Sequence, residues 1–570
     1  MLDAGGQYCH LIARRVRELG VFADVKPSDA PLGGLAGRKG IIISGGPASV
    51  YSAGSPTMDP GVLALGAGVL GICYGQQLMT HLLHGRVRPG DQGEYGHAVA
   101  RLDPGQPLFR GLEPEQQVWM SHRDQVETPP PGFGVIGGTE TCAVAAIGNT
   151  AARQYGVQFH PEVVHTPGGQ RILANFVFDI CGAVQDWDPR GRIASLEQEI
   201  RATAGSRNIF FFVSGGVDSS VAYRLCLDAL GAERVRGAYV DTGFMREGET
   251  EFVRDSLGVD IVDARHDFLD ALAGASEPEQ KRKIIGEMFV TVQDRVLQSG
   301  HYLEGDWILG QGTIYPDTIE SGGTAKADVI KTHHNRVAGI QKLQEAGRII
   351  EPLSSFYKDE VRQVGAELGL APELLHRHPF PGPGLAIRLL CAARAEPVER
   401  VEDGWILPVH SVGVQGDERS YRPVLATEGE LSLEQATAVI NRTRRVNRVV
   451  GLVAGHMPLE RMSVRQAYLT EDRLSRLRRA DAIVRRTSLE SGFEKLVWQF
   501  PVVAIPVGDE LRPDSIVLRP IHSVDGMTAS SVLMDRSLLG PLAAELLEIG
   551  GVCAVFYDLT HKPPATIEWE

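Results

Sequence analysis

No arrangement of cysteines in this sequence indicates a disulfide framework or a zinc site. The seven cysteines are an odd number, lie far apart in the chain and include no C-x-x-C pair, whereas disulfide-rich and zinc-binding domains use closely spaced pairs. The N-terminal segment lacks a basic stretch followed by an apolar one, and no run approaches the ~18 apolar residues of a membrane-spanning helix. These absences predict a cytoplasmic protein in a reducing compartment.

The sequence also lacks an excess of positive charge. It has 57 Lys and Arg against 71 Asp and Glu, for a formal net charge of −14. Because proteins that bind nucleic acid through bulk charge are basic, we expect neither nucleic acid nor a membrane as a partner, and any nucleic-acid role would need a local basic face. The 65 glycines and 33 prolines are spread through the chain, which indicates turns and loops rather than a fibrous or disordered protein.

The 570 residues are enough for several domains, and three stretches differ in pattern. We predict domains at residues 1–187, 188–388 and 389–570. In the first two, short apolar runs such as Ile41–Ile43 and Phe210–Val213 end at glycine turns and precede helical patterns. This alternation predicts two α/β domains with doubly wound parallel sheets, whose functional groups follow the strand ends.

The third stretch contains a short repeat. Pro408-Val409-His410-Ser411-Val412 recurs with four identities as Pro520-Ile521-His522-Ser523-Val524, and each copy is followed by a helical and then a strand-like segment. Chance accounts for a match of five residues in some long chains, but the matching order of elements favours a duplication. We therefore predict a duplicated α+β module, with copies at about 403–455 and 498–570.

A thiol lies between two glycines in Gly71-Ile72-Cys73-Tyr74-Gly75, at the end of an apolar run and before a helical pattern. Such a turn exposes a nucleophile at a helix N-terminus, where the helix dipole favours the thiolate. His160 follows another apolar run and could act as the base, with Glu162 orienting its ring. A buried inert cysteine is the alternative for Cys73 alone, but the three residues together favour a catalytic triad. The candidate oxyanion donors are the backbone N–H groups of Gly46 and Tyr74.

A second motif, Ser214-Gly215-Gly216-Val217-Asp218-Ser219-Ser220, lies between an apolar run and a helical pattern. It lacks the spacing and lysine of a Walker loop, yet its glycines, serines and helix N-terminus could bind a phosphate. A structural turn is the alternative. Because Asp218 would repel phosphate without a cation between them, we expect Mg²⁺ with Asp218 as a candidate ligand. Asp241, at the end of the next apolar run, should lie at the same sheet edge.

These motifs resemble known families. The segments G-I-C-Y-G-Q-Q at 71–77, S-G-G-P at 44–47 and F-H-P-E at 159–162 are similar to class I glutamine amidotransferases. S-G-G-V-D-S-S at 214–220 resembles the PP-loop of ATP pyrophosphatases. With H-P-F-P-G-P-G-L at 378–385 and K-P-P-A-T-I-E-W-E at 562–570, nearly the whole chain resembles the glutamine-hydrolysing GMP synthetases.

The resemblance implies a reaction in which XMP, ATP, glutamine and water give GMP, AMP, pyrophosphate and glutamate. Glutamine would be hydrolysed at Cys73, ATP would adenylate the 2-oxygen of the xanthine ring, and ammonia would displace AMP. Lys331, in I-K-T-H-H-N, would neutralise charge as pyrophosphate leaves. The implied ATP-binding residues are 214–220 and Asp241. The implied XMP-binding residues are Arg282, Gly382, Gly384, Lys562, Ile567 and Glu568.

The third stretch departs from the common family pattern. Many members of the family carry one C-terminal dimerisation module, whereas this chain holds two copies. Copies that pack on each other would bury within one chain the strand edges that otherwise need a partner, so we expect a monomer or a weak homodimer. The alternative functions are another PP-loop amidotransferase, a thiolase acting on tRNA, and a non-catalytic nucleotide-binding scaffold.

Overall fold

The computed structural model describes residues 1–6, 8–320, 338–377, 380–415, 418–428, 431–443, 445–523 and 528–570. The chain divides into two compact units, Met1–Arg192 and Ile193–Glu570. The second unit therefore contains almost all of the predicted second domain together with the third. Among the described residues, no helix combines the length and the apolar character needed to cross a membrane.

The first unit is built on a mixed nine-stranded sheet in the order β2-β1-β3-β4-β9-β8-β7-β5-β6. Its strands are β1 (Leu2–Asp3), β2 (Lys26–Pro27), β3 (Gly40–Ile43), β4 (Gly68–Ile72), β5 (Arg86–Leu102), β6 (Glu115–Thr128), β7 (Gly134–Gly138), β8 (Ala146–Asn149) and β9 (Gln154–Val157). Its helices are α1 (Cys9–Glu18), α2 (Tyr74–Leu82) and α3 (Gly169–Ala174), the last continued by π-helical turns over Asn175–Ile180.

Only half of this sheet is parallel. Strands β2, β1, β3, β4 and β9 run parallel to one another, whereas β9, β8, β7, β5 and β6 are each antiparallel to the next strand in the sheet. Along β3, Ile42 packs in one apolar cluster, and Ile41 and Ile43 pack in another. Because alternate residues of a strand face opposite sides, both faces of the strand are covered. The predicted α/β fold is confirmed, and antiparallel strands extend its parallel sheet.

The first part of the second unit contains a five-stranded parallel sheet in the order β12-β11-β10-β13-β14. Its strands are β10 (Asn208–Phe212), β11 (Val235–Asp241), β12 (Asp260–Asp263), β13 (Trp307–Gly310) and β14 (Ile349–Ile350). The helices are α4 (Ile193–Ala204), α5 (Val217–Leu230), α6 (Glu249–Leu257), α7 (Arg265–Ala271), α8 (Pro278–Ser299), α9 (Tyr315–Glu320), α10 (Ala338–Glu345), α11 (Lys358–Glu367) and α12 (Pro372–Leu375). The chain order reverses at β10, as expected of a doubly wound sheet.

The C-terminal part is built on a seven-stranded sheet in the order β16-β17-β18-β19-β26-β23-β21. Its strands are β16 (Glu399–Val401), β17 (Gly404–Gln415), β18 (Glu418–Thr427), β19 (Arg448–Gly455), β21 (Val502–Ile505), β23 (Asp514–Leu518) and β26 (Val552–Asp558). The helices are α13 (Leu433–Arg442), α14 (Glu471–Ser491) and α15 (Arg536–Leu547). Short strands β15 (Glu396–Pro397), β20 (Ser463–Val464) and β22 (Val507–Gly508) form one small sheet, and β24 (Ile521–His522) pairs with β25 (Ser530–Ser531).

Two copies of one topology meet in this sheet. Each copy has two antiparallel strands, a helix, and a third strand parallel to the second: β17-β18-α13-β19 in one and β21-β23-α15-β26 in the other. The last strands, β19 and β26, pair antiparallel at the centre. The predicted duplicated α+β module is therefore present, and each copy covers an edge of the other within one chain.

The pentapeptide repeat, however, pairs positions that are not equivalent. Residues 408–412 lie in β17, the first strand of the first copy, whereas residues 520–523 follow β23, the second strand of the second copy. Val524 lies outside the described residues. Our alignment of the two pentapeptides is thus wrong. It still indicated a real duplication, because each segment is followed by the helix and the final strand of its own copy.

Candidate active site

Cys73 lies in the turn between β4 and α2. Its φ is 51° and its ψ is −109°, a conformation that residues with a side chain rarely adopt. A Cβ on Gly75 would lie 2.2 Å from the carbonyl oxygen of Ile43, and one on Gly71 would lie 2.6 Å from the nitrogen of Gln76. Both glycines are therefore needed for the tight turn that places the thiol at the N-terminus of α2.

His160 and Glu162 lie beside this turn. The imidazole Nδ1 is 2.7 Å from Glu162 Oε1, and both side chains are buried. Burial alone would lower the pKa of His160, but the Glu162 carboxylate and the hydrogen bond with Cys73 outweigh it and raise that pKa to about 10. The positively charged imidazole of His160 therefore lies beside the Cys73 sulfur, where it can act as the acid and base of a cysteine nucleophile.

One predicted oxyanion donor, Tyr74, follows the thiol in the chain, and the other, Gly46, belongs to a loop that packs beside it. Tyr74 is the first residue of α2, where a backbone N–H has no intrahelical partner. Gly46 follows Gly45, and a Cβ on Gly45 would be 3.1 Å from His160 Cε1 and 3.4 Å from the Cys73 Cβ. The loop before Gly46 thus packs directly on the reacting pair.

The phosphate-loop candidate connects β10 to α5. Gly215 has a φ of 72°, and a Cβ there would meet Val253 at 2.7 Å. Ser214 Oγ is 3.0 Å from Ser219 Oγ and accepts a 3.2 Å hydrogen bond from the Gly216 N–H. The hydroxyl of Ser220 donates to the Gly216 carbonyl at 2.8 Å. These hydrogen bonds fix the loop against the first turn of α5, whose first residue is Val217.

Asp218 lies in the first turn of α5, and its Oδ2 is 3.3 Å from Lys358 Nζ. Its Oδ1 is buried and has no hydrogen-bond partner among the described residues. A buried carboxylate oxygen without a partner fits a hard cation, because Mg²⁺ prefers oxygen ligands. Asp218 therefore suits the expected Mg²⁺ site.

Two further strand ends reach the same edge of the sheet. Asp241 ends β11, next to β10, and its Oδ1 accepts the Gly243 N–H at 2.9 Å. After β13, on the other side of β10, Gly312 lies so close to the loop that a Cβ would be 2.6 Å from the nitrogen of Ser219. Arg377 donates to the Gly215 carbonyl at 2.8 Å. Sequence reasoning did not find Arg377 or Lys358. Lys331 lies outside the described residues.

Three of the predicted XMP residues, Lys562, Ile567 and Glu568, lie in the C-terminal tail, defined as residues 562–570, and Arg282 contacts this tail. Glu568 accepts a forked pair of hydrogen bonds from Arg388, at 2.9 Å from Nε and 2.7 Å from Nη2. Burial alone would raise the pKa of the Glu568 carboxyl, but the guanidinium outweighs it and holds that pKa below its ordinary value. Arg388 also lies over the ring of Phe380, 5.2 Å from its centroid. Arg388 thereby links the tail to the loop that contains Gly382 and Gly384.

The two glycines of that loop differ. Gly384 has a φ of 64°, and a Cβ there would lie 2.3 Å from the carbonyl oxygen of Phe244. A Cβ on Gly382 would meet nothing within 4 Å. Only Gly384 is therefore required by packing, and Gly382 borders open space.

Arg282 contacts the tail as well, because its Nη2 donates to the backbone carbonyl of Glu570. The neighbouring Lys281 is fully buried and lies 2.5 Å from Glu570 Oε2. Short basic runs such as Lys281-Arg282-Lys283 usually lie on a solvated surface, but Lys281 does not. Its Nζ also donates to the Leu389 carbonyl at 2.9 Å. The buried ammonium group is therefore bound by one carboxylate and one backbone carbonyl.

A buried charge cluster fixes the rest of the tail. Asp558 Oδ2 lies 2.9 Å from Arg448 Nη1, 2.7 Å from Arg519 Nη1 and 3.0 Å from Trp569 Nε1. Arg519 Nε donates to the Ile567 carbonyl at 2.9 Å, and Arg448 Nη2 donates to the Glu568 carbonyl at 2.7 Å. Burial and the nearby Arg519 lower the pKa of Arg448 to about 9. Each arginine is a single basic residue next to an apolar run in the sequence, and this pattern could have identified both as buried charges.

Lys562 lies at the start of the tail, where its backbone N–H donates to the Ala529 carbonyl at 2.7 Å. Arg448 belongs to the first copy of the duplicated module, and Arg519 and Asp558 belong to the second. The first copy therefore supplies one of the groups that hold the tail.

The fold and these sites define a glutamine amidotransferase joined to a nucleotide-dependent synthase. Residues 1–180 match the class I glutamine amidotransferase family, and residues 489–569 match the GMP synthase C-terminal domain. The chain is 42% identical to a probable glutamine-hydrolyzing GMP synthase of Leptospira interrogans, over 100% of this chain and 99% of that protein. It is 41% identical to the glutamine-hydrolyzing GMP synthase of Symbiobacterium thermophilum, over 100% of this chain and 98% of that protein. It is 39% identical to the glutamine-hydrolyzing GMP synthase of Caldicellulosiruptor saccharolyticus, over 100% of this chain and 99% of that protein. The chain belongs to the glutamine-hydrolyzing GMP synthase family.

Proposed function

We propose that the chain synthesises GMP from XMP, ATP and glutamine, with the glutaminase step in the first unit and the synthetase step in the second. The observation that carries the glutaminase assignment is the 2.7 Å contact between His160 and Glu162, beside a thiol held in a strained turn. Similarity that covers the whole chain does not favour the alternatives, which are another PP-loop amidotransferase, a tRNA thiolase and a scaffold without activity.

In the glutaminase step, the Cys73 thiolate attacks the side-chain amide carbon of glutamine. The carbon–nitrogen bond breaks, and His160 donates its proton to the leaving nitrogen, which departs as ammonia. Water then attacks the thioester while His160 accepts a proton from it, and glutamate leaves as the thiolate is restored. Glu162 holds the imidazole orientation throughout and stabilises its charged form. The N–H groups of Gly46 and Tyr74 are assigned to the oxyanion of both tetrahedral intermediates.

In the synthetase step, the 2-oxygen of XMP attacks the α-phosphorus of ATP and pyrophosphate leaves. Ammonia then attacks carbon 2 of the ring, and AMP leaves with the former xanthine oxygen. Residues 214–220 cradle the phosphates, and Asp241 contributes from the adjacent strand end. Mg²⁺ bound at Asp218 would neutralise phosphate charge. Lys331 is assigned by its motif to the departing pyrophosphate.

The tail and its neighbours are assigned to XMP. Lys562 supplies a positive charge for the ligand phosphate, and Ile567 and Glu568 contact the base, with Arg282, Gly382 and Gly384 completing the site. Arg388 acts on the ligand through Glu568 and is a positioning residue. We also infer that the chain is a monomer or a weak homodimer, because β19 and β26 cover each other within one chain.

The test measures AMP and GMP formation with XMP and ATP, supplied either with glutamine or with ammonium. Wild-type protein should use both nitrogen sources. Cys73→Ala should lose the glutamine-dependent reaction and keep the ammonium-dependent one, because the two chemistries use different residues. Cys181→Ala, in the same unit, should retain both. Equal loss of both reactions in the Cys73 variant would contradict the two-site assignment.

A further inference from the structure

Three buried or partly buried side chains with metal-binding atoms lie together in the first unit, outside the glutaminase triad. They are Glu94 from β5, His122 from β6 and Cys142 from the segment between β7 and β8. One ligand atom of each lies within 4.8 Å of the others. The residues come from three separate elements, so the short spacings that mark zinc motifs in a sequence are absent here.

The orientation of His122 leaves one ring nitrogen for a cation. Its Nδ1 is 3.0 Å from the backbone carbonyl of Asp124, and a carbonyl oxygen can only accept. Nδ1 therefore carries a hydrogen, and Nε2 faces Glu94 Oε2. A metal-bound histidine characteristically donates its other N–H to a carbonyl or carboxylate, which fixes the ring in this way.

The separation of Nε2 and Glu94 Oε2 matches two ligands of one ion better than a direct ion pair. That distance is 3.3 Å, whereas His160 and Glu162 in the same unit are 2.7 Å apart. Charge-assisted hydrogen bonds measure about 2.7–2.9 Å. A tetrahedral zinc ion with bonds of ~2.0–2.2 Å to nitrogen and oxygen sets those two atoms ~3.3–3.5 Å apart.

Thr139 holds the other two ligands. Its hydroxyl donates to Glu94 Oε1 at 3.3 Å and accepts the Cys142 N–H at 2.9 Å. Its own N–H donates to the Cys142 carbonyl at 2.8 Å. The thiol of Cys142 is fully buried, and His122 is 7% exposed. Hydrogen bonds thus hold the His122 ring, the Glu94 carboxylate and the Cys142 backbone in place.

From this geometry we infer that Glu94, His122 and Cys142 bind one divalent transition-metal ion of the zinc class. A set of sulfur, nitrogen and oxygen ligands suits zinc and its chemical neighbours, whereas Mg²⁺ and Ca²⁺ prefer oxygen alone. Ser121, beside His122, has its carbonyl 3.7 Å from the Cys73 thiol. The ion would therefore tie the turn after β7 to the ribbon of β5 and β6 next to the reacting sulfur, without taking part in the reaction.

The test is a cobalt titration of tag-free, full-length protein in a Cys73→Ala background, so that the glutaminase thiol cannot contribute. One equivalent of Co²⁺ should bind and produce a thiolate-to-cobalt charge-transfer band, which Zn²⁺ should displace. Cys142→Ala should abolish the band. Cys181→Ala is the matched control, because Cys181 is also a buried thiol of the first unit, and it should leave the band intact.

Two further variants guard against misfolding as the cause. His122→Asn should also abolish the band, and Thr139→Val should weaken cobalt binding by about 10- to 100-fold, the usual effect of removing an outer partner of a ligand. Circular dichroism selects variants that retain the fold. A Cys73→Ala protein that binds no cobalt, or a folded Cys142→Ala variant that keeps the band, would overturn the inference.

Discussion

Replacing Glu162 by Gln tests the glutaminase assignment most directly, because it removes one charge and almost no volume. The carboxylate lies 2.7 Å from His160 Nδ1 and is 1% exposed. In the variant an amide oxygen can still accept the Nδ1 hydrogen, but it cannot balance the charge of the imidazolium. We therefore expect a fall in glutamine-dependent GMP formation with no change in the ammonium-dependent reaction.

The size of the effect follows from the contact that is lost. A hydrogen bond to a charged group contributes about 1.5–3 kcal/mol, and about 1.4 kcal/mol corresponds to tenfold in rate. The expected loss of glutamine-dependent activity is thus about 10- to 150-fold. If the amide turns its NH₂ group toward the ring, the wrong tautomer results, and the loss can approach ~10⁴-fold, as in serine proteases.

The pH profile provides a second measurement. Since the Glu162 carboxylate raises the pKa of His160 to about 10, the imidazolium persists in the wild type until the pH rises through that value. Removing the carboxylate lowers the pKa, so the alkaline decline of glutamine-dependent activity should move to lower pH. The free energy of unfolding should change with pH in the same direction. The contribution of His160 to it is complete below the unfolded pKa of ~6.5 and is lost as the pH rises toward about 10.

Glu115→Gln is the matched control, because Glu115 belongs to the same unit and pairs with Arg101 at the surface. It should leave both activities and the pH profile unchanged. A Glu162→Gln variant with less than about threefold loss of glutamine-dependent activity would refute the reasoning, since no charge-assisted hydrogen bond is that weak in a buried site.

The remaining predictions concern the second unit. Asp218→Ala should abolish AMP formation while retaining some glutaminase activity, measured as glutamate release; Mg²⁺-dependent AMP formation in this variant would remove the phosphate-loop assignment. Asp558→Asn should destabilise the second unit by about 3–5 kcal/mol in denaturant titration, because Arg448 and Arg519 would lose their buried counter-charge, whereas Asp403→Asn, at an exposed ion pair, should change stability little. Light scattering over a hundredfold concentration range should give the mass of one chain at the low end, and a dimer whose mass is independent of concentration would contradict the predicted monomer or weak homodimer.

Sequence alone was sufficient where the chemistry depends on neighbouring residues. The turn at Cys73 and the loop around Asp218 are contiguous segments, and glycines at fixed positions determine their backbone shape. His160 and Glu162 are two residues apart after one strand, so their proximity also follows from local geometry. For the same reason the α/β fold could be predicted from short apolar runs and the turns that end them.

The order of elements in the third stretch was informative, but the pentapeptide repeat was not. Strand and helix patterns indicated two copies of one module, and the sheet contains both. The pairing of residues 408–412 with 520–524 failed because a five-residue match does not distinguish the first strand of a copy from the segment after its second strand. Topology, which depends on which strands hydrogen-bond, separates the two positions.

Only the tertiary structure brought together the side chains that hold the tail and the proposed metal ligands. Arg388 and Glu568 are 180 positions apart, and Arg448 lies 110 positions from Asp558. Arg448 and Asp558 meet because β19 pairs with β26 in the sheet, and no spacing in the sequence encodes that pairing. Sequence patterns report which residues share one strand or helix, whereas contacts between elements are decided by how the apolar faces of those elements pack.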